Sequence, residues 1–253
     1  SDVPWWVGYV AYEAAWSDAR RLGLRTSPRL TRPARPVLWF GRYDRLIAVD
    51  RVRDETFVLA ESQEACRALR ASLEGARRPE RARAGPATVE PPSKHRRRIA
   101  HALEAIAAGE IYQVNLARRW TAPYRGSPLQ LWVAMRHASP VPLGAYLELD
   151  GHAVLARTME RFLRWHRPTG RLWSSPIKGT IARSGHDDPQ LASRLVRDDK
   201  ERAEHSMIVD LMRNDLSKVA QLGTVRVQKP LRVEPFAKLS HLVSTVECRT
   251  RPD

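Results

Sequence analysis

Short apolar segments that occur in pairs around tight turns constrain the fold of this chain most strongly. In residues 145–156, two such segments flank Asp150-Gly151, a dipeptide that favours two-residue hairpin turns. Residues 46–59 and residues 162–173 show the same arrangement around a charged turn and a Pro-Thr-Gly turn. Helical segments lie between the pairs, without the regular strand–helix–strand order of parallel sheets. The sequence therefore predicts an α+β fold with antiparallel β-sheets and flanking helices.

Apolar residues spaced three or four apart predict the helices, and β-branched or alternating segments predict the other strands. The helices are predicted at residues 61–74, 93–109, 127–138 and 188–219, the last with a break near residue 198. The other strands are predicted at residues 5–12, 37–40, 111–116, 224–227, 233–236 and 241–248. Residues 76–93 combine repeated Gly and Pro with Arg and Ala, which predicts a linker. It separates a strand-rich region, residues 1–75, from a larger region, residues 94–253.

The net charge of +15 raises the question of a nucleic-acid partner. Most of the positive residues are arginines spread along the whole chain, and no zinc-finger or basic-zipper pattern accompanies them, so no nucleic acid is predicted. No apolar run approaches the roughly 18 residues of a membrane span, so no membrane partner is predicted either. Two distant cysteines and the lack of a signal sequence lead us to expect a cytoplasmic protein without disulfides or a cysteine zinc site.

A Pro-Ile-Lys-Gly-Thr segment, residues 176–180, is the first candidate for chemistry, and we call it the lysine turn. Lys178, held in a tight and partly dry turn, could lose some of its ammonium character and act as a nucleophile. Gly179 and Thr180 could offer a backbone N–H and a hydroxyl to an anion. The alternative is an ordinary surface lysine in a turn.

Carboxylates at both ends of an apolar helical stripe are the second candidate. On a helix, Glu204, Ile208, Leu211 and Asp215 share one face. A hard cation such as Mg²⁺ would explain a carboxylate there, because Mg²⁺ prefers oxygen ligands. Ion pairing on the helix surface is the alternative.

Two single residues complete the candidates from composition and pattern. Glu160 follows an apolar strand and could be a general acid, or an exposed carboxylate paired with Arg161. His241 stands on a predicted strand, where a structural role is the simpler interpretation.

In order and spacing, eight segments together resemble the chorismate-utilising enzyme family, most closely its aminodeoxychorismate synthase component I branch. They are residues 6–9, 40–44, 109–116, 160–162, 176–180, 202–216, 233–236 and 241–246. The branch assignment depends on Lys178, because anthranilate synthases usually carry Ala at that position.

The resemblance implies roles for the candidate residues. Lys178 attacks C2 of the chorismate ring, and an acid at the position of Glu160 assists loss of the C4 hydroxyl. Gly179 and Thr180 contact the substrate, and His241 lies near the ring. Glu204 is the implied Mg²⁺ ligand. A glutamine amidotransferase subunit is the implied source of ammonia, and the product, 4-amino-4-deoxychorismate, leads to p-aminobenzoate and folate.

The chain departs from the family pattern in ways that affect these expectations. It has Thr158-Met159 where the family has Ser-Pro before the acid, and Ser175 before the lysine turn. Family segments with a second Mg²⁺ ligand and a carboxylate-binding Arg are missing, as is the family segment before Trp5. We therefore expect a chain truncated at both ends, with little or no turnover alone. Anthranilate synthase, a non-catalytic chorismate-binding-like domain and a basic nucleic-acid binder remain the alternatives.

Overall fold

The computed structural model describes residues 5–15, 23, 35–77, 79–183 and 189–252. They form two compact units. The first contains residues up to Pro79 together with Leu147–Ala153, and the second contains Glu80–Tyr146 and the chain from Val154 onward. The boundary after Pro79 falls inside the predicted linker.

The first unit consists of two antiparallel strand pairs and one helix. Strand β1 (Trp6–Val10) pairs with β2 (Leu38–Arg42), and β3 (Arg45–Asp50) pairs with β4 (Glu55–Ala60). Helix α1 (Gln63–Glu74) packs on the second pair. The Asp50 carboxylate closes the β3–β4 turn by accepting the N–H of Val52 at 2.9 Å. The Ser62 hydroxyl caps α1 by accepting the N–H of Ala65 at 3.1 Å, so local side-chain chemistry fixes both boundaries.

The second unit opens with short strands and two helices, which in chain order are β5 (Arg83–Ala84), β6 (Thr88–Val89), α2 (Pro92–Ala107), β7 (Trp120–Thr121), β8 (Tyr124–Arg125) and α3 (Pro128–Ala138). The hairpin strands β9 (Ala145–Leu149) and β10 (His152–Ala156) follow in the chain, and their residues Leu147–Ala153 belong to the first unit. β5 pairs with β8, and β6 pairs with β7. β9 and β10 form the predicted hairpin, and Gly151 supplies the positive φ of +71° that its turn requires.

A five-stranded antiparallel sheet organises the rest of the second unit. It contains β11 (Arg161–His166), β12 (Arg171–Ser175), β13 (Ile177–Ala182), β14 (Arg226–Pro235) and β15 (Leu239–Arg249). The long strand β15 is central: β12 and β13 follow one another along one side of it, and β14 pairs along the other. β11 pairs with β12 in the second predicted hairpin. The α+β class with antiparallel sheets is thus confirmed.

Helix α5 (Asp199–Ser217) covers one face of this sheet and forms the core with it. The buried apolar cluster comprises Leu172, Leu216, Ala220, Val246 and Cys248. Helix α4 (Pro189–Arg197) precedes α5. The two are separated by Asp198, whose carboxylate accepts the N–H of Glu201 at 3.0 Å and so starts the second helix. The predicted break near residue 198 is therefore an N-cap.

Three local predictions are wrong, and each failure has a physical reason. Residues 111–116 alternate like a strand, but among the described residues no strand pairs with them. The predicted linker contains β5 and β6, because strands distant in sequence supply their partners. The N-cap predicted at Ser93 lies at Pro91, since a proline also fits the first helical turn.

The two strands predicted at residues 224–227 and 233–236 are a single bulged strand, β14. The chain passes the bulge with positive φ at Lys229 and Leu231. Within the described part of the chain, no helix has both the length and the apolar character needed to cross a bilayer.

Replacing Leu216 by Ala tests the core assignment. Leu216 is 3 % exposed, so the cavity left behind should lower the free energy of unfolding by about 2–5 kcal/mol. Leu222→Ala is the matched control: its side chain is fully exposed, and the loss should stay within about 0.5 kcal/mol. Denaturant unfolding measures both variants. Equal losses would contradict the packing of α5 on the sheet.

Candidate active site

The lysine turn lies where β12 ends and β13 begins. Pro176 separates the two strands, and its carbonyl accepts the N–H of Ser244 from β15 at 3.3 Å. Lys178 pairs with Leu242, but the register then shifts, so that Thr180 pairs with His241. Gly179 occupies this bulge with a φ of +86°. A bulge of this kind re-aims the side chains that flank it, and here those side chains are Lys178 and Thr180.

The Glu160 carboxylate reaches the same turn from the start of β11. Its Oε1 accepts the N–H of Ile177 at 3.3 Å, and the backbone N–H of Glu160 is donated to Thr158 Oγ1 at 3.0 Å. The carboxylate is therefore held one residue away from Lys178. Thr158, one of the departures from the family pattern, helps to set the backbone that carries it.

His241 joins the turn from the neighbouring strand. Its Nδ1 lies 3.0 Å from Thr180 Oγ1 and 3.2 Å from the Gly179 carbonyl oxygen. Because a carbonyl oxygen only accepts, the contact with Gly179 favours a proton on Nδ1 and leaves Nε2 free as an acceptor. Phe236 packs edge-on against the ring at a centroid distance of 5.6 Å. The structure thus brings Gly179, Thr180 and His241 together.

Helix α5 lies behind the lysine turn, but its buried stripe differs from the predicted one. His205, Val209, Met212 and Leu216 face the sheet. Leu211 is 51 % exposed, and the exposed Asp215 pairs with Lys218 at 2.8 Å. Glu204 remains at the edge of the buried stripe, half-buried, with Lys200 Nζ 3.8 Å from its Oε1. The predicted face was wrong because residues 204, 208, 211 and 215 have the same helical spacing as residues 205, 209, 212 and 216. Spacing alone therefore does not show which of the two stripes faces the sheet.

Glu201 is a carboxylate near the turn that the sequence analysis did not identify. A side chain at position 179 would place its Cβ 3.3 Å from Glu201 Oε2. Glu201 and Thr180 also line a cavity of about 710 Å³ between α4, α5 and β13. The sequence feature that could have identified Glu201 is its position three residues before Glu204 on the same helix.

His205 is the second residue that the sequence analysis missed. It is 1 % exposed, and its Nε2 lies 2.7 Å from Ser244 Oγ on β15. Burial lowers the pKa of His205, and a hydrogen-bond interaction with the Lys178 backbone opposes that shift. Among the described residues, His205 Nδ1 has no hydrogen-bond partner. In the sequence, a histidine within the apolar stripe of a helix was the only sign of this buried residue.

Helix α5 carries two carboxylates, and carboxylate oxygens are donors of the kind that Mg²⁺ prefers. In the described ranges, no three His, Cys, Asp or Glu residues converge on one point. Mg²⁺ is often held by one or two carboxylates, with water and substrate oxygens completing its shell. Glu204, with Glu201 three residues earlier on α5, fits that requirement.

Three comparisons relate the chain to known proteins. The sequence profile of the chorismate binding enzyme family matches residues 1–253. Aminodeoxychorismate synthase component 1 of Klebsiella aerogenes is 44 % identical over 146 residues, which are 57 % of this chain and 32 % of that protein. Anthranilate synthase component 1 of Thermus thermophilus is 42 % identical over 151 residues, 59 % of this chain and 32 % of that protein. The matched segments thus span about a third of these relatives.

A solved structure shows the same fold. The crystal structure of anthranilate synthase component I from Streptococcus pneumoniae aligns with a TM-score of 0.80 at 24 % identity. The alignment covers 100 % of this chain and 59 % of that one.

Replacing Gly179 by Ala tests the geometry of the bulge. The left-handed conformation alone should cost about 1–2 kcal/mol of unfolding free energy. The new Cβ would also lie 3.3 Å from Glu201, Leu195 and Leu242, so the loss should be larger. Gly223→Ala is the matched control, because its φ is +76° and nothing lies within 4 Å. Denaturant unfolding compares them, and equal losses would show that the turn is loosely packed.

Proposed function

Because the chain belongs to the chorismate binding enzyme family, we propose that it carries part of the active site of an aminodeoxychorismate synthase. The reaction is chorismate plus ammonia to 4-amino-4-deoxychorismate plus water. One observation supports this above the others: a lysine stands in a bulged turn, and a carboxylate is bonded to the amide immediately before it. That arrangement places a nucleophile and an acid on the same short segment.

In the first step, the neutral amine of Lys178 attacks C2 of the ring. A C–N bond forms at C2, the ring double bond shifts, and the C4–O bond breaks. Glu160 donates a proton to the departing hydroxyl, which leaves as water. The proton that the new C–N nitrogen releases restores the Glu160 carboxylic acid. A covalent amine divides one difficult substitution into two easier ones.

In the second step, ammonia attacks C4. The double bond shifts back, the C2–N bond breaks, and the surplus proton on the new C4 amine passes to the departing Lys178 amine. The lysine returns to its starting state. The two steps together exchange the C4 hydroxyl for an amino group.

The remaining residues of the site bind and orient the substrate. Gly179 and Thr180 offer a backbone N–H and a hydroxyl to substrate oxygens, and His241 keeps the Thr180 hydroxyl in place through its 3.0 Å contact. Glu204 would hold Mg²⁺, which when bound neutralises the carboxylate at C1 of the substrate.

The proposal includes the supply of ammonia and the setting of the reaction. A glutamine amidotransferase subunit would provide ammonia, in keeping with the component 1 names of the relatives. The product would feed p-aminobenzoate and folate synthesis in the cytoplasm.

Anthranilate synthase is the second candidate function. The 42 % identity to the Thermus thermophilus enzyme supports it almost as strongly as the 44 % identity supports the first. Lys178 favours the first, since the resemblance gives anthranilate synthases an Ala at this position. In the first candidate reaction, the lysine amine forms a covalent bond with the substrate. In the second candidate reaction, no lysine stands at this position to form that bond.

Lys178→Ala tests the nucleophile. We expect the chain, incubated with chorismate, Mg²⁺ and ammonium, to form a covalent adduct on Lys178, and the variant to form none. Intact mass and peptide mapping detect the adduct, and chromatography identifies any product. Lys218→Ala is the control, because this exposed lysine follows α5 and its side chain pairs with Asp215 of that helix. Anthranilate from both proteins without an adduct would favour the second candidate. A chain that binds chorismate without adduct or product would be non-catalytic.

Glu160→Gln tests the acid. The amide can still accept the N–H of Ile177, so the turn should keep its shape, but it cannot protonate the hydroxyl. We expect adduct formation to slow roughly 10²–10⁴-fold at saturating chorismate. Single-turnover kinetics measure the rate, and an unchanged rate would assign the proton to another group.

A further inference from the structure

The face of the five-stranded sheet that points away from helix α5 carries a cluster of arginines, which we call the arginine face. Leu172, Val246 and Cys248 belong to the core beneath α5, so their neighbours along the strands point to the opposite face. Strand pairing aligns these outward residues in two rows. One row contains His166, Arg171 and Arg249, and the other contains Arg164, Trp173, Glu247 and Arg226. Four arginines thus stand beside one carboxylate.

That carboxylate, Glu247, is already engaged within the face. Its Oε2 accepts hydrogen bonds from the Arg171 guanidinium, with Nε at 2.9 Å, and its Oε1 accepts one from Gln228 Nε2 at 2.9 Å. Glu247 therefore neutralises Arg171. Arg226 and Arg249 are exposed, and neither forms an ion pair with another residue of the described ranges. The arginine face consequently keeps an unbalanced positive charge.

Sheet geometry brings Arg171, Arg226 and Arg249 within reach of one ligand. Arg226 pairs with Glu247, and Arg249 lies two residues further along β15. Diagonal neighbours of this kind are roughly 7–8 Å apart, which long side chains can bridge. Arg171 lies directly opposite Arg249, an arrangement of like charges that destabilises a sheet. An anion bound among the three arginines would offset this repulsion.

The Arg171 side chain is held in place by the chain itself. Its guanidinium carbon lies 4.9 Å from the centroid of the Trp173 ring, and the guanidinium carbon of Arg164 lies 5.2 Å from the same centroid. A side chain that is already ordered loses less entropy when a ligand binds. The ring is also engaged by these two cations, which disfavours a nucleic-acid base as the ligand, because base binding relies on stacking against aromatic rings.

A cavity of about 810 Å³ opens at the arginine face. Arg171, Arg226 and Arg249 all line it. Cavities of this volume are typical of small-molecule sites. The planar guanidinium group matches the oxygens of phosphate and carboxylate groups, which it binds through two parallel hydrogen bonds. The volume and the charge of the cavity therefore both suit a small polyanion.

We propose that the arginine face is a binding site for a compact polyanion whose oxygens belong to phosphate or carboxylate groups. Arg226 and Arg249 hold the anion between them, and Arg171 supplies a third, fixed contact. The site lies at the far end of β12 from the lysine turn, because Arg171 begins that strand and Pro176 follows its last residue. The inference is therefore independent of the proposed function, and its test requires no turnover of chorismate.

Titration calorimetry with inorganic pyrophosphate and with malonate tests the site. At an ionic strength of about 0.15 M, where long-range attraction between exposed charges is largely screened, we expect saturable binding of one anion per chain. The probe that binds more tightly identifies the preferred group as phosphate or carboxylate. Arg226→Gln and Arg249→Gln should each weaken binding by roughly tenfold or more, the loss typical of one hydrogen bond to a charged group. Both side chains are exposed, so thermal unfolding should show that the variants remain folded.

Arg45→Gln is the matched control, because Arg45 is an exposed strand arginine of the first unit. It removes the same charge from the chain and should leave the affinity for either probe unchanged. Equal weakening in all three variants would show that the net charge of +15, and not the arginine face, attracts the anion. That result would overturn the proposal, as would the absence of saturable binding for both probes.

Discussion

The pairing of β15 with strands on both of its sides is the interaction on which the rest of the second unit depends. Leu242, Val243, Val246 and Cys248 are between 0 and 2 % exposed, so this strand is the most buried part of the described chain. Its two faces have different roles. Leu242, Ser244 and Val246 alternate toward helix α5, while His241 lies beside Thr180. A single strand therefore joins the hydrophobic core to the candidate active site, and its register determines which residues meet the lysine turn.

Several boundaries set by local chemistry agree with the sequence, whereas some short strands that depend on a distant partner were not predicted. The Asp150-Gly151 turn, the Ser62 cap and the break at Asp198 each depend on side chains within a few residues. In contrast, β5 and β6 exist only because strands about 30 residues or more away pair with them. Residues 111–116 show the reverse case, since an alternating pattern without a partner strand remains irregular.

In the candidate site, too, local sequence features identified some residues, whereas contacts that depend on sheet pairing could not be predicted. Lys178, Gly179 and Thr180 could be identified because Pro and Gly mark a special turn around a single lysine. That Glu160 would reach Ile177, and that His241 would touch Thr180, 61 residues earlier in the chain, depends on sheet pairing. His205 and Glu201 were missed because helical spacing alone does not show which stripe faces the sheet. The resemblance to chorismate-utilising enzymes assigned roles to residues, whereas the structure shows the contacts between them.

The junction of β12 and β13 also affects what can approach the lysine. Among the described strands, β13 is the last on its side of the sheet, and an unpaired edge is normally a template for the addition of another extended peptide. At the start of β13, two successive backbone positions cannot donate a hydrogen bond to such a peptide. Pro176 has no amide proton, and the amide proton of Ile177 is already taken by the Glu160 carboxylate. An extended peptide that approached this edge would therefore find no free backbone donor at the two successive positions that precede Lys178.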